Sequence, residues 1–243
     1  MSEASIPVNL LNPGQVFASL GFLEAAEALF GRAAGGFDWA DSGNVRFVLN
    51  ADVERNPFEG VLEFLSRAEV RRLAPTAYAE AKPKKKSKKQ DDDLPEETSS
   101  DMERSDVFPA GEPESTALPV RLVGLGRYLD VTHWADGSSR DSFKLYAGNR
   151  SAALIARAML TGTRGKSGKG RPGILKTKGI HALWTEDRVA LVERPFDVLT
   201  PMGGSFNFDA RGGWTALDAG YSPNDQGHGV AASPVVEMLA AEA

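Results

Sequence analysis

The sequence predicts an α+β fold in which antiparallel sheets pack against a few helices, with a disordered charged insertion interrupting the chain. Three observations carry this. Short runs with strand-like alternation recur between turn signals, two helix starts share the form Asn-Pro, and one long block is dense in charge and poor in large apolar residues.

The 243 residues are 42% hydrophobic and 25% charged, enough for one large or two small domains with real cores. There is no cysteine, which excludes disulfides and thiolate metal sites. The start, MSEASIPVNLL, has no basic region followed by a long apolar core, and no later run approaches the roughly 18 apolar residues that span a bilayer. A cytoplasmic location with no membrane contact is therefore expected. The net charge of -5 argues against indiscriminate coating of nucleic acid, so any such contact should be local.

Taken in order, Ser5 to Leu11 reads as a strand that stops at Asn12-Pro13-Gly14-Gln15, a helix start with an N-cap, a proline at the first helical position and a glutamine at the capping-box position. Val16, Leu20, Leu23 and Phe30 recur at helical spacing, widened by Phe17, Phe22, Ala26 and Leu29, so this helix should be mostly buried. Gly35-Gly36 should end it. Phe37 to Trp39 and Val45 to Leu49 then read as a hairpin across Asp41 to Asn44. Asn56-Pro57-Phe58-Glu59 opens a second amphipathic helix expected to run through Phe58, Val61, Leu62, Leu65, Ala68 and Leu73. Residues 1–79 thus form an N-terminal module of two helices on a small antiparallel sheet.

Residues 80–115 form the insertion, lysine-rich from Lys82 to Lys89 and acidic from Asp91 to Glu103, too polar to bury a core and expected to be a disordered, solvated linker. Residues 116–243 form a C-terminal α+β module. Val120 to Val123, Arg127 to Trp134 and Phe143 to Ala147 read as three antiparallel strands, and a helix through Ala152, Leu154, Ile155, Ala158, Met159 and Leu160 follows. Ile180 to Trp184 and Arg188 to Val192 flank Thr185-Glu186-Asp187 as a further hairpin, and Phe206 to Arg211 alternates like a strand. Ser233-Pro234 caps a final helix, Val235 to Ala241, whose early stop suggests a truncated partner surface or a missing C-terminal piece.

The candidate site is the loop 161–179, TGTRGKSGKGRPGILKTKG, with six cations, six glycines and no acidic residue in an acidic chain. Arg164, Lys166, Lys169, Arg171, Lys176 and Lys178 can neutralise a polyanion, while glycines such as Gly162 and Gly165 let backbone approach closely and stay mobile. Lys144, Asn149 and Arg150, at the far end of the preceding helix, could line the same groove.

Other chemistry is weakly supported. Gly162 to Ser167 ends like a P-loop, but Leu160 stands where that motif needs glycine and the loop follows a helix. Gly124-Leu125-Gly126 lacks the third glycine of a dinucleotide fingerprint, Leu129 taking its place, and reads as a strand irregularity. His133, His181 and His228 are far apart, with His133 and His181 in apparent strands and more consistent with structural roles. Asp209, Asp218 and Asp225 could gather around a magnesium ion in a nuclease, yet each also suits a strand end or turn, and the structural reading is preferred. No catalytic residue, metal or cofactor is expected.

The strings VNLLNPGQVFASLGFLEAAEALFG, GGFDW, FKLYAGN, WTALDAGYSPNDQ and SPVVEMLAA resemble a small family of CRISPR-associated proteins from type I-U (I-G) systems, assigned as Cascade large-subunit-type components. The resemblance covers both modules but not the charged insertion. It implies a non-catalytic subunit of an RNA-guided surveillance complex, with guide RNA, target DNA and the other Cascade subunits, the backbone and 5′-handle-binding ones, as partners. In such complexes base pairing supplies sequence specificity and protein contacts hold backbone, a role that suits the basic loop. A ferredoxin-like (RAMP-like) element would suit the hairpin-rich core, although strand order cannot be read from the sequence. A protein-only assembly scaffold and a metal-dependent nuclease are the alternatives.

Overall fold

The computed structural model describes residues 1–41, 43–73, 96–97, 120–131, 152–164, 175–202, 205–209, 211 and 231–243, and the fold is α+β. The chain opens with β1 (Ser2–Pro7), α1 (Pro13–Phe30), β2 (Ala33–Asp38), β3 (Arg46–Ala51) and α2 (Pro57–Leu65). The first sheet has the order β1-β3-β2 with antiparallel neighbours, so β1 and β2 run the same way with β3 between them. This is the split β-α-β arrangement of a ferredoxin-like fold. Among the described residues it is not completed, because β4 (Glu69–Leu73) pairs with β6 (Val120–Gly124) instead of lying beside β1.

The second sheet has the order β5-β4-β6-β7, where β5 is Glu96–Glu97 and β7 is Arg127–Val131. β5 comes from within the charged insertion and pairs parallel to β4, placing Glu96 opposite Arg72. The rest of the insertion, and the predicted strand Phe143 to Ala147, lie outside the described residues. There follow α3 (Ala152–Thr161), the short pair β8 (Thr163–Arg164) and β9 (Leu175–Thr177), α4 (Ile180–Glu186), α5 (Arg188–Glu193), the pair β10 (Thr200–Pro201) and β11 (Ala231–Ala232), and α6 (Pro234–Ala240).

Strand alternation builds the floor of the core. In β3, Phe47, Leu49 and Ala51 are buried, and the register sets Ile6 and Phe37 on either side of Phe47. Gly35 leaves room for that ring, since a Cβ on it would lie 2.7 Å from Phe47 Cζ and push the ring aside. Over this floor α2 lays Phe58, Val61, Leu62 and Leu65, held by Asn56, whose side chain accepts from the Phe58 and Glu59 amides. Phe58 meets Phe22 edge-on at 5.0 Å between ring centres, and Phe22 in turn meets Phe196 at 6.0 Å. In the second sheet Val70, Val120, Leu122, Leu129 and Val131 join the same core. β6 and β7 are joined by Leu125-Gly126 with φ of 53° and 71°, a two-residue hairpin turn where the sequence suggested only an irregularity.

α6 is the element that most departs from expectation. Every residue from Pro234 to Ala240 is buried, and Ala241 is too, so the helix is a core element and not a surface left for a partner. It lies on α1 with the backbones in near contact. A Cβ on Gly21 would sit 1.9 Å from the Leu239 carbonyl oxygen, and one on Gly14 would sit 2.2 Å from the Phe208 oxygen. The buried face of α1 is therefore a small-residue face, Gly14, Ala18, Gly21, Ala25 and Ala26 with Ser19 and Phe22 among them. Phe17 and Leu20, expected inside because they are large and apolar, face solvent at 37% and 40% exposure.

Other boundaries also shift. α1 ends at Phe30 with Gly31 at φ 99°, so Gly35-Gly36 belongs to β2 and does not terminate the helix. α2 stops at Leu65, and Leu73 lies in β4. The predicted hairpin around Thr185 to Asp187 is a pair of short helices. Ile180 and Leu183 turn one face of α4 inward, and Asp187 caps α5 by accepting from the Ala190 amide at 3.1 Å. Residues 206–209 are irregular backbone, with Asn207 at φ 66°. Among the described residues no helix is long and apolar enough to cross a membrane.

The α1–α6 contact predicts an asymmetric response to added methyl groups. Alanine is intrinsically better than glycine in a helix by about 1 kcal/mol, but a backbone carbonyl cannot rotate out of the way as a side chain can. Gly21→Ala should therefore lower the unfolding free energy in urea by roughly 1–3 kcal/mol. Gly36→Ala, where a Cβ meets open space, should change it by less than about 0.5 kcal/mol.

Candidate nucleic-acid interface

The basic loop leaves and re-enters the fold through a closed neck. α3 buries Ala153, Ile155, Ala156, Met159 and Leu160 and ends at Gly162, which has φ 73° and donates its amide to the Ala158 oxygen at 2.8 Å. A Cβ on Gly162 would lie 2.0 Å from the Thr177 oxygen, and one on Gly179 would lie 2.4 Å from the Gly162 nitrogen. These glycines bring backbone against backbone. They fix the ends of the loop, a role opposite to the mobility that glycine alone suggests.

Threonines finish the clasp. The Thr163 amide donates to Thr177 Oγ1 at 2.9 Å, and the two hydroxyls lie 2.8 Å apart. β8 and β9 pair Thr163 with Thr177 and Arg164 with Leu175, so Lys176 is an extra residue in β9, a bulge that turns its side chain outward. Thr200, itself buried, donates its hydroxyl to the Lys178 oxygen at 2.9 Å and ties the outgoing strand to the core.

Of the residues singled out in the sequence, Arg164, Lys176 and Lys178 are brought together at this neck, and all three are exposed. Lys178 is part-neutralised by Glu186, Nζ to Oε2 at 2.5 Å, whereas Lys176 has no ion pair among the described residues. Lys166, Lys169, Arg171, Lys144, Asn149 and Arg150 lie outside the described residues, as do His133, His228, Asp218 and Asp225.

Asp209 is described, and its oxygens are occupied. Oδ1 accepts from Asn12 Nδ2 at 2.9 Å, the Arg211 amide at 3.1 Å and Arg211 Nε at 2.9 Å. Oδ2 accepts from Arg211 Nη2 and the Ser233 amide, both at 2.8 Å. Burial pushes this carboxyl up, but the bonds from Arg211, Ser233 and Asn12 outweigh burial and hold it below the usual carboxylate range. Arg211 also donates to the Phe196 oxygen at 2.5 Å. The group ties α1, Phe196, Arg211 and the start of α6 together, and leaves Asp209 no lone pair for a metal. Among the described residues no three His, Asp or Glu side chains are placed to hold one. His181 sits on α4, not in a strand. Its Nε2 lies 3.1 Å from the Ala68 oxygen, which can only accept, so the ring is protonated at Nε2, and burial pushes its pKa down.

The sequence did not reveal the second carboxyl in this group. Glu237 is fully buried on α6 and accepts the Asp209 amide on Oε1 at 2.8 Å, while Oε2 has no partner among the described residues. Burial, with the Asp209 carboxylate adding, pushes its pKa up to about 7. Glu242 is buried too, and burial with Asp130 and Glu24 nearby pushes it up to about 9. The only signal in the sequence was an acid at the centre of an apolar helix, VVEML.

No family model matches the chain, and neither does any curated protein or solved structure.

A carboxyl raised from its ordinary value near 4.5 to about 7 binds a proton more tightly folded than unfolded. Its stabilising effect is present below pH 4.5, falls away between pH 4.5 and 7, and above that leaves a burial cost of roughly 3 kcal/mol. Glu237→Gln keeps the Oε1 acceptor and removes the titration. The variant should be more stable than wild type at pH 8, and the difference should shrink steadily as unfolding is measured at lower pH, towards pH 5.

Proposed function

We propose that this chain is a non-catalytic subunit of a type I CRISPR RNA-guided surveillance complex that holds phosphates of guide RNA or target DNA with its basic loop. The observation that carries this reading is the neck. Two glycines and two threonines close the ends of a loop that has six cations and no acid, and Arg164 and Lys176 stand exposed at its base. A clasp of that kind loses less entropy on binding than a loop with free ends, so more of each phosphate contact is realised as affinity. The strings in both modules that resemble the type I-U (I-G) family supply the biological setting.

Phosphate contact by lysine and arginine is electrostatic and largely indifferent to sequence, which fits a complex whose specificity comes from base pairing. Lys144, Asn149 and Arg150 are assigned to the same surface from their place ahead of α3. The other Cascade subunits are the protein partners, and the cytoplasm is the compartment.

Affinity for short single-stranded RNA and duplex DNA, measured across a range of salt, tests the reading. With about four to six phosphate contacts the log–log slope on duplex should be roughly -4 to -5, and it should flatten when Arg164, Lys166, Lys169 and Arg171 are changed to alanine. Binding that is absent, or that ignores those substitutions, transfers the reading to a protein-only scaffold. Magnesium-dependent cleavage lost in Asp218→Ala would make the chain a nuclease.

A further inference from the structure

The first sheet has an edge on each side of β3, and the two are not alike. β1 and β2 are each paired on one side only among the described residues. Two bonds set the direction of the backbone groups. The Val8 amide donates to the Val45 oxygen and the Asp52 amide to the Arg32 oxygen, each at 3.0 Å, so odd residues of β3 bond to β1 and even ones to β2. In β1 the outward residues are therefore Glu3, Ser5 and Pro7. Pro7 has no amide and the Ser5 oxygen already accepts from Arg46 Nη2 at 2.7 Å, so this edge is blunted.

In β2 the outward residues are Ala33, Gly35 and Phe37, the register partners of Ala51, Leu49 and Phe47. Their amides and carbonyls have no hydrogen-bond partner among the described residues. The strand has no proline and no register shift, and Ala34, Gly35 and Gly36 are exposed, so nothing blunts this edge. Opposite charges stand at its two ends. Arg32 is 81% exposed and approaches Asp52 only to 3.6 Å, while Asp38 has no ion pair among the described residues.

Such a strand is complementary to itself run antiparallel. With Gly35 opposite Gly35, Ala33 falls opposite Phe37 and Arg32 opposite Asp38. Each outward residue then faces another outward residue and exchanges both backbone bonds with it. The charged pairs meet on the solvent face, and a small residue lies beside each Phe37 ring. Trp39, 60% exposed and 5.9 Å from Phe37 between ring centres, falls opposite Gly31, where a Cβ would meet open space. Sliding the strand by two residues either way sets Ala33 or Phe37 against a residue outside the strand and parts Arg32 from Asp38.

We propose that β2 pairs with β2 of a second copy of this chain, antiparallel and centred on Gly35, so that the two first sheets become one continuous sheet. The contact is made by residues outside the basic loop and does not depend on how that loop is used.

Sedimentation equilibrium of the full chain, from about 10 μM to about 1 mM, should show a dimer with a dissociation constant of roughly 10–500 μM, as suits one pair of short strands. Amide exchange followed over the same range reads the register in the unmodified protein. The amides of Ala33, Gly35 and Phe37 should slow about threefold or more at the high concentration, whereas those of Ala34 and Gly36, already bonded to β3, should not change. Asp38→Arg sets arginine against arginine twice by symmetry and should weaken the dimer about tenfold. Arg32→Asp combined with Asp38→Arg exchanges the charges and should recover most of that loss. A monomer throughout the range would overturn the proposal. So would a dimer that leaves the three outward amides unchanged, or a charge exchange that fails to recover what Asp38→Arg loses.

Discussion

The approach of α1 to α6 at Gly21 and Leu239 is the constraint on which the rest of the structure depends. Helices normally keep their axes about 8–10 Å apart because side chains stand between them. Here a glycine and a run of alanines remove the spacer, and α6 sinks until it is buried on every side. That position brings the last helix beside the first and makes one continuous core from residues as distant as Ile6 and Leu239. It also determines where polarity must be tolerated. The N-terminus of α6 and the cap of α1 meet at Asp209, and five hydrogen bonds, three of them from Arg211, hold that charge inside. Glu237 pays for its place in the same cluster by giving up its charge near neutral pH.

Much of this architecture was legible because it rests on local chemistry. Asn12, Asn56 and Ser233 each cap the helix they announce, and the β2–β3 hairpin forms where the turn residues put it. Where the sequence misled, size had been taken for burial. Phe17 and Leu20 drew attention as core residues, while the face that packs is Gly14, Ala18, Gly21 and Ala25, whose value lies in what they lack. The segment Ile180 to Val192 shows another limit. Its short apolar runs fit either period, and Asp187, read as a turn, is a helix cap. Strand order was beyond reach, because nothing local tells β4 to leave β1 for β6.

For the candidate site the sequence identified the charge but not its mounting. Six cations without an acid were plain, and Arg164, Lys176 and Lys178 do gather at one place. The clasp was not plain, because Gly162 and Gly179 are indistinguishable in sequence from the other loop glycines. Only their contacts, backbone against backbone at Thr177 and Leu160, separate two structural glycines from the rest. The same lesson applies at Gln15, whose capping-box position suggests a bond to the Asn12 amide, while its oxygen actually accepts from the Asn9 amide.

The central claim, that α6 closes a single core from both halves, is tested most directly by native-state hydrogen exchange. Amides of Met238 and Leu239 in α6, of Phe22 and Ala25 in α1, and of Phe47 and Leu49 in β3 should share one opening free energy equal to that of global unfolding, with the same denaturant dependence. Exchange of the α6 amides through a smaller, denaturant-insensitive opening, while α1 and β3 stay protected, would contradict the claim and make α6 a detachable element.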